Sequence, residues 1–493
     1  MAVPDNYRAL DGVARYTHGQ PNDGFDVTAM AYRGQSRFTV DQPVSARDQG
    51  LIGRYGSLDP TDGNFAERFS LSGHQRVSGE NWTLTTGAYA IHSRLTLWDD
   101  FTHFLVDPVH GDQEQQDETR TTFGGQSTYY RADTLLGVPT ETEIGLQGRY
   151  DDVAIDRRHT RARVVLPACP GSPFGGGLYT CNADTVTLGN VAGYVQNTTH
   201  WLPWFRTVAG LREDAYAGSD RSLVTGFSGR TTKTLPQPKG SAVFGPWRKT
   251  ELYLSAGRGF HTNDLRAVLG TVPSLGVTDP NQSTPFLTKI TSEEIGLRSD
   301  IVPRTQLTAA LYRVDFDSFL SYDADNGVDN AGPPARLQGI ELSGQYRPYD
   351  WIELNADLNV TSSRYHTASP ATYGVPGLYI PYAPNFIGSL GAIVDNLGPW
   401  FGGAELRWLG GYPLVADNSL RSPGYRELNL DVGYRINRHM KVQLDVFNVF
   451  NTNAAASQYA YQYQVSPTAA PEFGATYHPL EPLSARFALT ATF

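Results

Sequence analysis

Two cysteines are the residues whose type and spacing point most directly to chemistry. Cys169 and Cys181 are the only cysteines in the 493-residue chain, and they lie in the Gly- and Pro-rich stretch LPACPGSPFGGGLYTCNAD. In an oxidising compartment two such thiols can pair, and closing so short a loop would stabilise it by about 3 kcal/mol. A metal site would need more ligands, and the stretch contains no histidine. We therefore predict a Cys169–Cys181 disulfide and no metal-binding residues.

Three polar stretches carry groups that could bind a ligand, but each is better explained as loop structure. HGDQEQQDE (110–118) could hold a cation, although charge runs of this kind are usually hydrated loops. DADNGVDN (323–330) resembles a calcium loop, but Gly327 comes one position early and Pro334 stands where the closing glutamate belongs. His261 has no partner residues in its stretch GRGFHTNDLR, so a local hydrogen bond explains it better than a ligand contact.

The usual motifs of catalysis are missing from the chain. We find no H-E-x-x-H, G-x-x-x-x-G-K-[ST], G-x-G-x-x-G or G-x-S-x-G pattern. We therefore predict no catalytic residues, no cofactor and no enzymatic activity. A net charge of −10 without a basic run also argues against a nucleic-acid partner.

Composition favours sheet over helix. Charged residues make up only 18% of the chain and aromatic residues 12%, and there are 50 glycines and 27 tyrosines. The sequence shows neither an apolar run typical of a transmembrane helix nor a signal peptide, so entry into a membrane would be by strands. The negative mean hydropathy is compatible with this, because only alternate residues of a membrane strand contact lipid.

The last eleven residues, LSARFALTATF (483–493), show the alternation of such a strand. One side of the extended chain carries Ala485, Phe487, Leu489, Ala491 and Phe493, and the other side is more polar. The same two-faced pattern recurs in MKVQLDVF from Met440 and in IELNADLNV from Ile352. The chain is therefore predicted to be all-β.

Strands are joined alternately by short turns and by long polar loops. The short turns include GPWRK (245–249), DIVPR (300–304), RPYDW (347–351), LGPWF (397–401) and RINRH (435–439). Five tryptophans lie in or beside short turns, as in the aromatic belt of a membrane interface: Trp201, Trp204, Trp247, Trp351 and Trp400. We predict a transmembrane antiparallel up-and-down β-barrel of about 19 strands.

The odd number indicates that strands are missing. Bacterial barrels of this type normally have an even number of strands. The first connection, THGQPNDG (17–24), is short, so the chain would begin on the long-loop side. We expect residues 1–493 to be one N-terminally truncated barrel domain with about 19 strands of an original 22.

Successive hairpins of the chain resemble the C-terminal barrel hairpins of TonB-dependent outer-membrane receptors. The likeness covers nearly the whole chain and is strongest from about Pro238 onward. The segments that carry it are YLSAGRGFHTNDLRA from Tyr253, SEEIGLRSDIVPRTQLTAALYRVDF from Ser292, NAGPPARLQGIELSGQYRPYDWIELNADLNVT from Asn330, NLDVGYRINRHMKVQLDVFNVFNT from Asn429 and the closing ARFALTATF.

This resemblance implies a barrel in the outer membrane of a Gram-negative bacterium, surrounded by its lipid. In the family an N-terminal plug fills the barrel and a TonB box precedes it, and neither is recognisable here. The ligand would be a scarce nutrient such as a ferric siderophore or another metal chelate. TonB would be contacted only through the missing N-terminal region, and the barrel-assembly machinery through the terminal strand with Phe493. We name no substrate-binding residues.

Three other functions stay open. The chain could be a passive porin-like channel, which would use the barrel without a plug. It could also be a truncated receptor that is non-functional. A secreted all-β enzyme or lectin would be soluble without detergent.

Overall fold

The computed structural model describes residues 5–38, 40–169, 180–270, 284–323, 328–369 and 376–492. Nineteen long strands and two short ones form one 21-stranded sheet, and each long strand pairs antiparallel with the next one along the chain. The long strands are β1 (Arg8–Gln20), β2 (Asp23–Arg37), β3 (Gly63–Ser78), β4 (Trp82–Asp99), β5 (Glu114–Leu135), β6 (Val138–Arg161), β7 (Asn182–Leu202), β8 (Phe205–Ser222), β9 (Ser228–Trp247), β10 (Thr250–Thr262), β11 (Leu287–Ser299), β12 (Thr305–Phe316), β13 (Ala335–Tyr349), β14 (Ile352–Ser369), β15 (Phe386–Leu397), β16 (Trp400–Leu409), β17 (Tyr425–Asn437), β18 (Met440–Phe447) and β19 (Ser484–Ala491).

The predicted all-β class, the antiparallel up-and-down order and the strand number are confirmed. Connections alternate between the two ends of the sheet. Those at one end are the turns 21–22, 79–81, 136–137, 203–204, 248–249, 300–304, 350–351, 398–399 and 438–439. All but one of those at the other end are long loops. Within the described ranges, no helix is long and apolar enough to span a membrane.

The long loops contain the remaining elements of the chain. Two one-turn helices, α1 (Val44–Asp48) and α2 (Leu265–Leu269), lie in the loops after β2 and β10. The short strands are Gln42–Pro43, Val164–Val165, Leu320–Asp323, Val328–Ala331, Gly377–Tyr379, Tyr412–Pro413, Arg421–Ser422, Ala455–Tyr463 and Glu472–Pro479.

The two faces of the sheet differ in chemistry, as the alternation predicts. Ile295, Leu311, Ile340 and Val360 stand directly opposite one another across β11 to β14 and are 45–54% exposed. On the other face the Tyr312 hydroxyl donates to Asn359 at 3.1 Å. Since side chains alternate along a strand, the apolar row faces lipid and the polar groups face the lumen.

Aromatic rings mark the short-turn end of the sheet. Trp204 and Trp247 stack with their ring centroids 6.3 Å apart, and the indole rings of Trp201 and Trp400 are half exposed. Indoles in this position act as anchors at a membrane interface, where the ring contacts lipid and the N–H can stay hydrated.

The sheet has two free margins. Among the described residues, β1 pairs only with β2 and β19 pairs only with β18. Every step from β1 to β19 is antiparallel, so the two marginal strands run in the same direction. On β19 the outward-facing Phe487 and Leu489 are 71% and 59% exposed, whereas Arg486 reaches Asp445 on the lumen face at 2.9 Å. The terminal Phe493 lies outside the described residues.

Candidate functional site

The long-loop end of the barrel is built by contacts between segments that are far apart in sequence. Gln42–Pro43 pairs with Tyr477 and Thr476 of the strand Glu472–Pro479, which itself pairs with Ala455–Tyr463. Ala46 of α1 is fully buried against Tyr463 and Val465. We call this assembly of residues 42–58 and 455–479 the loop clasp. It joins the first long loop of the chain to the last.

Buried polar groups hold the neighbouring loop, residues 100–113, in place. Asp112 accepts N–H hydrogen bonds from Leu105 at 2.9 Å and from Asp107 at 2.7 Å, together with the Thr102 hydroxyl at 2.7 Å. These bonds satisfy a carboxylate that is only 8% exposed. A loop fixed in this way presents a defined surface rather than a mobile one.

Gln113 links that loop to two others. Its side-chain N–H group donates to Asp59 at 3.0 Å and to Asp62 at 3.1 Å, and its carbonyl oxygen accepts from Thr160 at 3.0 Å and from the Arg163 backbone N–H at 2.7 Å. Burial and the nearby carboxylates raise the pKa of Asp62 well above its usual value. A single amide therefore ties three outer loops together.

Aromatic and guanidinium groups line the same end of the barrel. Tyr382 and Tyr459 have ring centroids 4.9 Å apart, and Phe101 and Tyr461 meet edge to face at 6.5 Å. The guanidinium of Arg163 lies 4.6 Å from the centre of the Trp98 ring. Such groups can stack on an aromatic ligand and neutralise an anionic one.

The lumen wall carries ion pairs formed within single strands. Arg149 contacts Asp151 at 2.7 Å, and Arg212 contacts Asp214 at 2.6 Å while donating to Gln147 at 2.7 Å. Asp151 and Asp214 are only 3% and 1% exposed. Buried carboxylates paired in this manner keep the wall hydrophilic, as a path for polar solutes requires. These pairs were not predicted from the sequence, although opposite charges two positions apart along a strand are their signal.

Helix α2 packs on the lumen face of β7 to β9. It starts after Asp264, whose side chain accepts the Arg266 backbone N–H at 2.9 Å, and ends at Gly270 with φ of 69°. Leu265 is 2% exposed within an apolar cluster of Val153, Val186, Phe286 and Leu287. A Cβ at Gly218 would collide with the Leu265 side chain. The glycine therefore permits the loop to fold down against the wall.

Histidines from two of the polar stretches make local contacts in the structure. His261 makes the local hydrogen bond that we predicted, with its Nδ1 2.9 Å from the Asn263 side-chain oxygen. His110 lies 2.9 Å from Asp107. Burial alone would raise the pKa of Asp107, but hydrogen bonds from His110 and from two backbone N–H groups hold it below the usual value. The stretch 323–330 lies partly outside the described residues.

The structure joins the two cysteines. The Sγ atoms of Cys169 and Cys181 lie 2.14 Å apart and their Cα atoms 5.3 Å apart. We propose that these two residues form a disulfide in the mature protein, which replacement of Cys169 by serine would test. Among the residues that the structure describes, no group of three or more His, Cys, Asp or Glu is arranged to hold a metal ion.

Comparison with known proteins gives the class to which this barrel belongs. The family model for the TonB dependent receptor-like β-barrel matches residues 3–449. The chain therefore belongs to the TonB-dependent receptors, and it is a β-barrel protein of the Gram-negative outer membrane. The family is one of receptors rather than enzymes.

Relatives within this class agree in fold and extend beyond the present chain. The catecholate siderophore receptor Fiu of Escherichia coli (strain K12) is 28% identical over 210 residues, which are 41% of this chain and 25% of that receptor. The match thus spans about a quarter of the relative's length. The crystal structure of the unliganded ferric citrate transporter FecA superimposes on this chain with a TM-score of 0.75 at 14% sequence identity. The superposition covers 99% of this chain and 70% of the FecA chain. The closed form of the ferric-catecholate import receptor Fiu from K12 E. coli gives a TM-score of 0.73 at 16% sequence identity. That superposition covers 100% of this chain and 76% of the Fiu chain.

Proposed function

We propose that this chain is the barrel of an outer-membrane receptor for TonB-dependent uptake of a ferric siderophore or a similar metal chelate. The observation that carries the proposal is the 28% identity to a catecholate siderophore receptor over 210 residues. The hydrophilic lumen, with paired charges such as Arg212 and Asp214, supports passage of a polar solute.

The chemistry of the outer end favours a catecholate among the metal chelates. Ferric catecholates combine aromatic rings with negative charge, so they are suited by stacking surfaces and guanidinium groups together. Tyr461, beside Phe101, and Arg163, over Trp98, offer both groups on the outer loops. We propose these loops as the place where the chelate first binds.

We propose further that the complete receptor has 22 strands, a plug and a TonB box. Three of the strands, the plug and the TonB box would be supplied by sequence outside this chain. Because β1 and β19 run in the same direction, pairing them directly would give a parallel seam. An odd number of added strands restores antiparallel pairing throughout, and three such strands give the number found in plugged transporters. Contact with TonB would then lie outside this chain, and contact with the barrel-assembly machinery would be made by β19.

The test uses the complete gene, including the codons that precede Met1, in an E. coli strain without its own catecholate receptors. We expect uptake of radioactive iron from a ferric catecholate, little uptake from ferric citrate, and loss of uptake when TonB is removed. Tyr461→Ala should raise the KM for the catecholate, whereas Tyr349→Ala at the short-turn end should not. Uptake that is independent of TonB, or absent for every chelate, would contradict the proposal.

A passive porin-like channel is the second candidate. It is favoured by the polar lumen, where charged side chains such as Arg149 and Asp151 line the wall. The purified chain would then show a steady conductance in planar bilayers. A sealed bilayer together with TonB-dependent uptake by the complete protein would dismiss the channel.

A further inference from the structure

The lipid-facing surface changes from apolar to charged along a line set by strand register. Ile295, Leu311, Ile340 and Val360 form the last apolar row on β11 to β14 before the outer loops. The row two positions nearer the loops, on the same outward face, contains Glu293, Arg313, Gln338 and Ser362. Two positions further, Asp315, Arg336 and Arg364 stand directly opposite one another. The charges therefore lie at the height where the apolar layer of the membrane ends.

The charged residues form a connected group, which we call the outer arginine patch: Arg313, Arg336, Arg364, His366 and Asp315. The Asp315 carboxylate accepts from Arg313 Nε and from Arg336 Nε, both at 2.7 Å, and lies 3.3 Å from the His366 ring. Two guanidinium groups and an imidazole thus share one carboxylate. Such sharing leaves positive charge that Asp315 alone does not neutralise.

Arg364 adds a guanidinium of a different kind. It donates to the Ser363 carbonyl oxygen at 2.7 Å and lies over the Tyr379 ring, 3.8 Å from its centre. No ion pair of Arg364 with a carboxylate occurs among the described residues. Stacking on a ring orients the guanidinium while leaving N–H donors available.

Other charges nearby do not cancel this excess. Lys289, further along β11, is matched by Asp317 at 3.0 Å. Glu293 lies opposite Arg313 by register and neutralises one more positive charge. The three arginines of the patch carry three positive charges, and Asp315 and Glu293 carry two negative charges. The group therefore has a net positive charge even when His366 is neutral, although the chain as a whole carries −10. The side chains of Arg313 and Arg336 stay 44% and 36% exposed toward the lipid side.

We propose that the outer arginine patch binds the phosphate groups of a phosphorylated lipid in the outer leaflet. A guanidinium presents two parallel N–H donors that match a phosphate, and each basic residue near an anionic membrane surface strengthens attachment. The apolar row directly below the patch would contact the acyl chains of the same lipid molecule. This combination of phosphate donors above and apolar surface below distinguishes a lipid from a free anion.

The experiment measures lipid binding to the full chain, extracted from outer membranes into a non-ionic detergent. The probes are bis-phosphorylated lipid A, the same lipid with its phosphates removed, and inorganic phosphate as competitor. The test variant combines Arg313→Gln, Arg336→Gln and Arg364→Gln. We expect its affinity for phosphorylated lipid A to fall about tenfold or more, and the dephosphorylated lipid to bind the unchanged chain equally weakly.

A matched control removes the same charge at the opposite end of the barrel. It combines Arg304→Gln, Arg347→Gln and Arg435→Gln, which lie at the short turns and pair with acidic residues there. Lipid affinity of this control should stay within about twofold of the original. An equal loss in the control would overturn the proposal, because binding would then follow net charge alone. Displacement of the lipid by inorganic phosphate would also overturn it in favour of a free-anion site.

A second variant keeps the proposal testable if the triple variant folds poorly. Asp315→Asn removes the shared carboxylate and leaves all three arginines in place. If the patch recognises phosphate, this variant should bind the phosphorylated lipid more tightly than the unchanged chain. Weaker binding would show that the arginines serve only to hold the strands together, and would refute the proposal.

Discussion

Placing one arginine on either face of β13 tests the central assignment of lipid and lumen faces. Leu342 faces outward between Ala309 and Leu358, inside the apolar band that begins at Ile340. Its neighbour Ser343 faces the lumen, where its hydroxyl donates to Asp357. Leu342→Arg places a charge in lipid near the middle of the membrane, and Ser343→Arg places the same charge beside a carboxylate in water.

The expected difference follows from the cost of charge in lipid. An arginine on the lipid face of a membrane barrel costs about 2–4 kcal/mol near the midplane. A change of about 3 kcal/mol shifts the folding equilibrium roughly a hundredfold, since about 1.4 kcal/mol corresponds to a factor of ten. Ser343→Arg should change the free energy of unfolding by less than about 1 kcal/mol, because its partner is exposed to water.

The assay is reversible urea unfolding in phospholipid vesicles, followed by the fluorescence of the eight tryptophans. Leu342→Gln is the matched control, because it removes the apolar contact of Leu342 without adding charge. Equal costs for Leu342→Arg and Ser343→Arg would refute the assignment of faces. A larger cost for Ser343→Arg would mean that the faces are reversed, as a register shift by one residue would produce.

Three further changes test the loops. Cys169→Ser should destabilise the loop that it closes with Cys181 by about 3 kcal/mol, seen as faster proteolysis, and Cys181→Ser should add nothing to it. Leu265→Ala should weaken docking of α2 by about 2–5 kcal/mol, measured as lost amide protection, and unchanged protection would contradict the packing described. Asp41 directly precedes the loop clasp and accepts a hydrogen bond from Ser457 of the clasp at 3.4 Å. Burial raises the pKa of Asp41 to about 7, so the folded state binds a proton that the unfolded chain releases near the usual 3.8. Protection factors in the clasp should therefore fall as pH rises between these two values, and Asp41→Asn should abolish the fall.

The sequence predicted the features that depend on local alternation. Strands such as β14 and β18 are visible because apolar and polar residues alternate along them, and turns such as 398–399 are visible from Gly and Pro. The odd number of strands was predicted from the alternating order of short turns and long loops. These properties require no knowledge of distant contacts.

Loop structure could not be predicted, because it depends on segments far apart in the chain. The pairing of Gln42 with Tyr477 joins segments separated by most of the sequence, and neither segment has a strong strand pattern. Gln113 gave no signal either, since an exposed glutamine and one that bridges three loops look alike in sequence. The outer arginine patch could have been found from Arg313 and Asp315 two positions apart, but only register places Arg336 and Arg364 beside them.

The loop clasp has a mechanical consequence for the open side of the wall. It ties the segment after β2 to the segment before β19, so it bridges the two free margins from above. Three strands between those margins would occupy about 19 Å, given a spacing of about 4.8 Å between neighbours. The hydrogen bonds of Arg54 with the Thr452 carbonyl oxygen and of Ser45 with Tyr463 thus connect two loop segments that lead to opposite margins of the sheet. Any strands added between the margins would therefore have to fit beneath this connection.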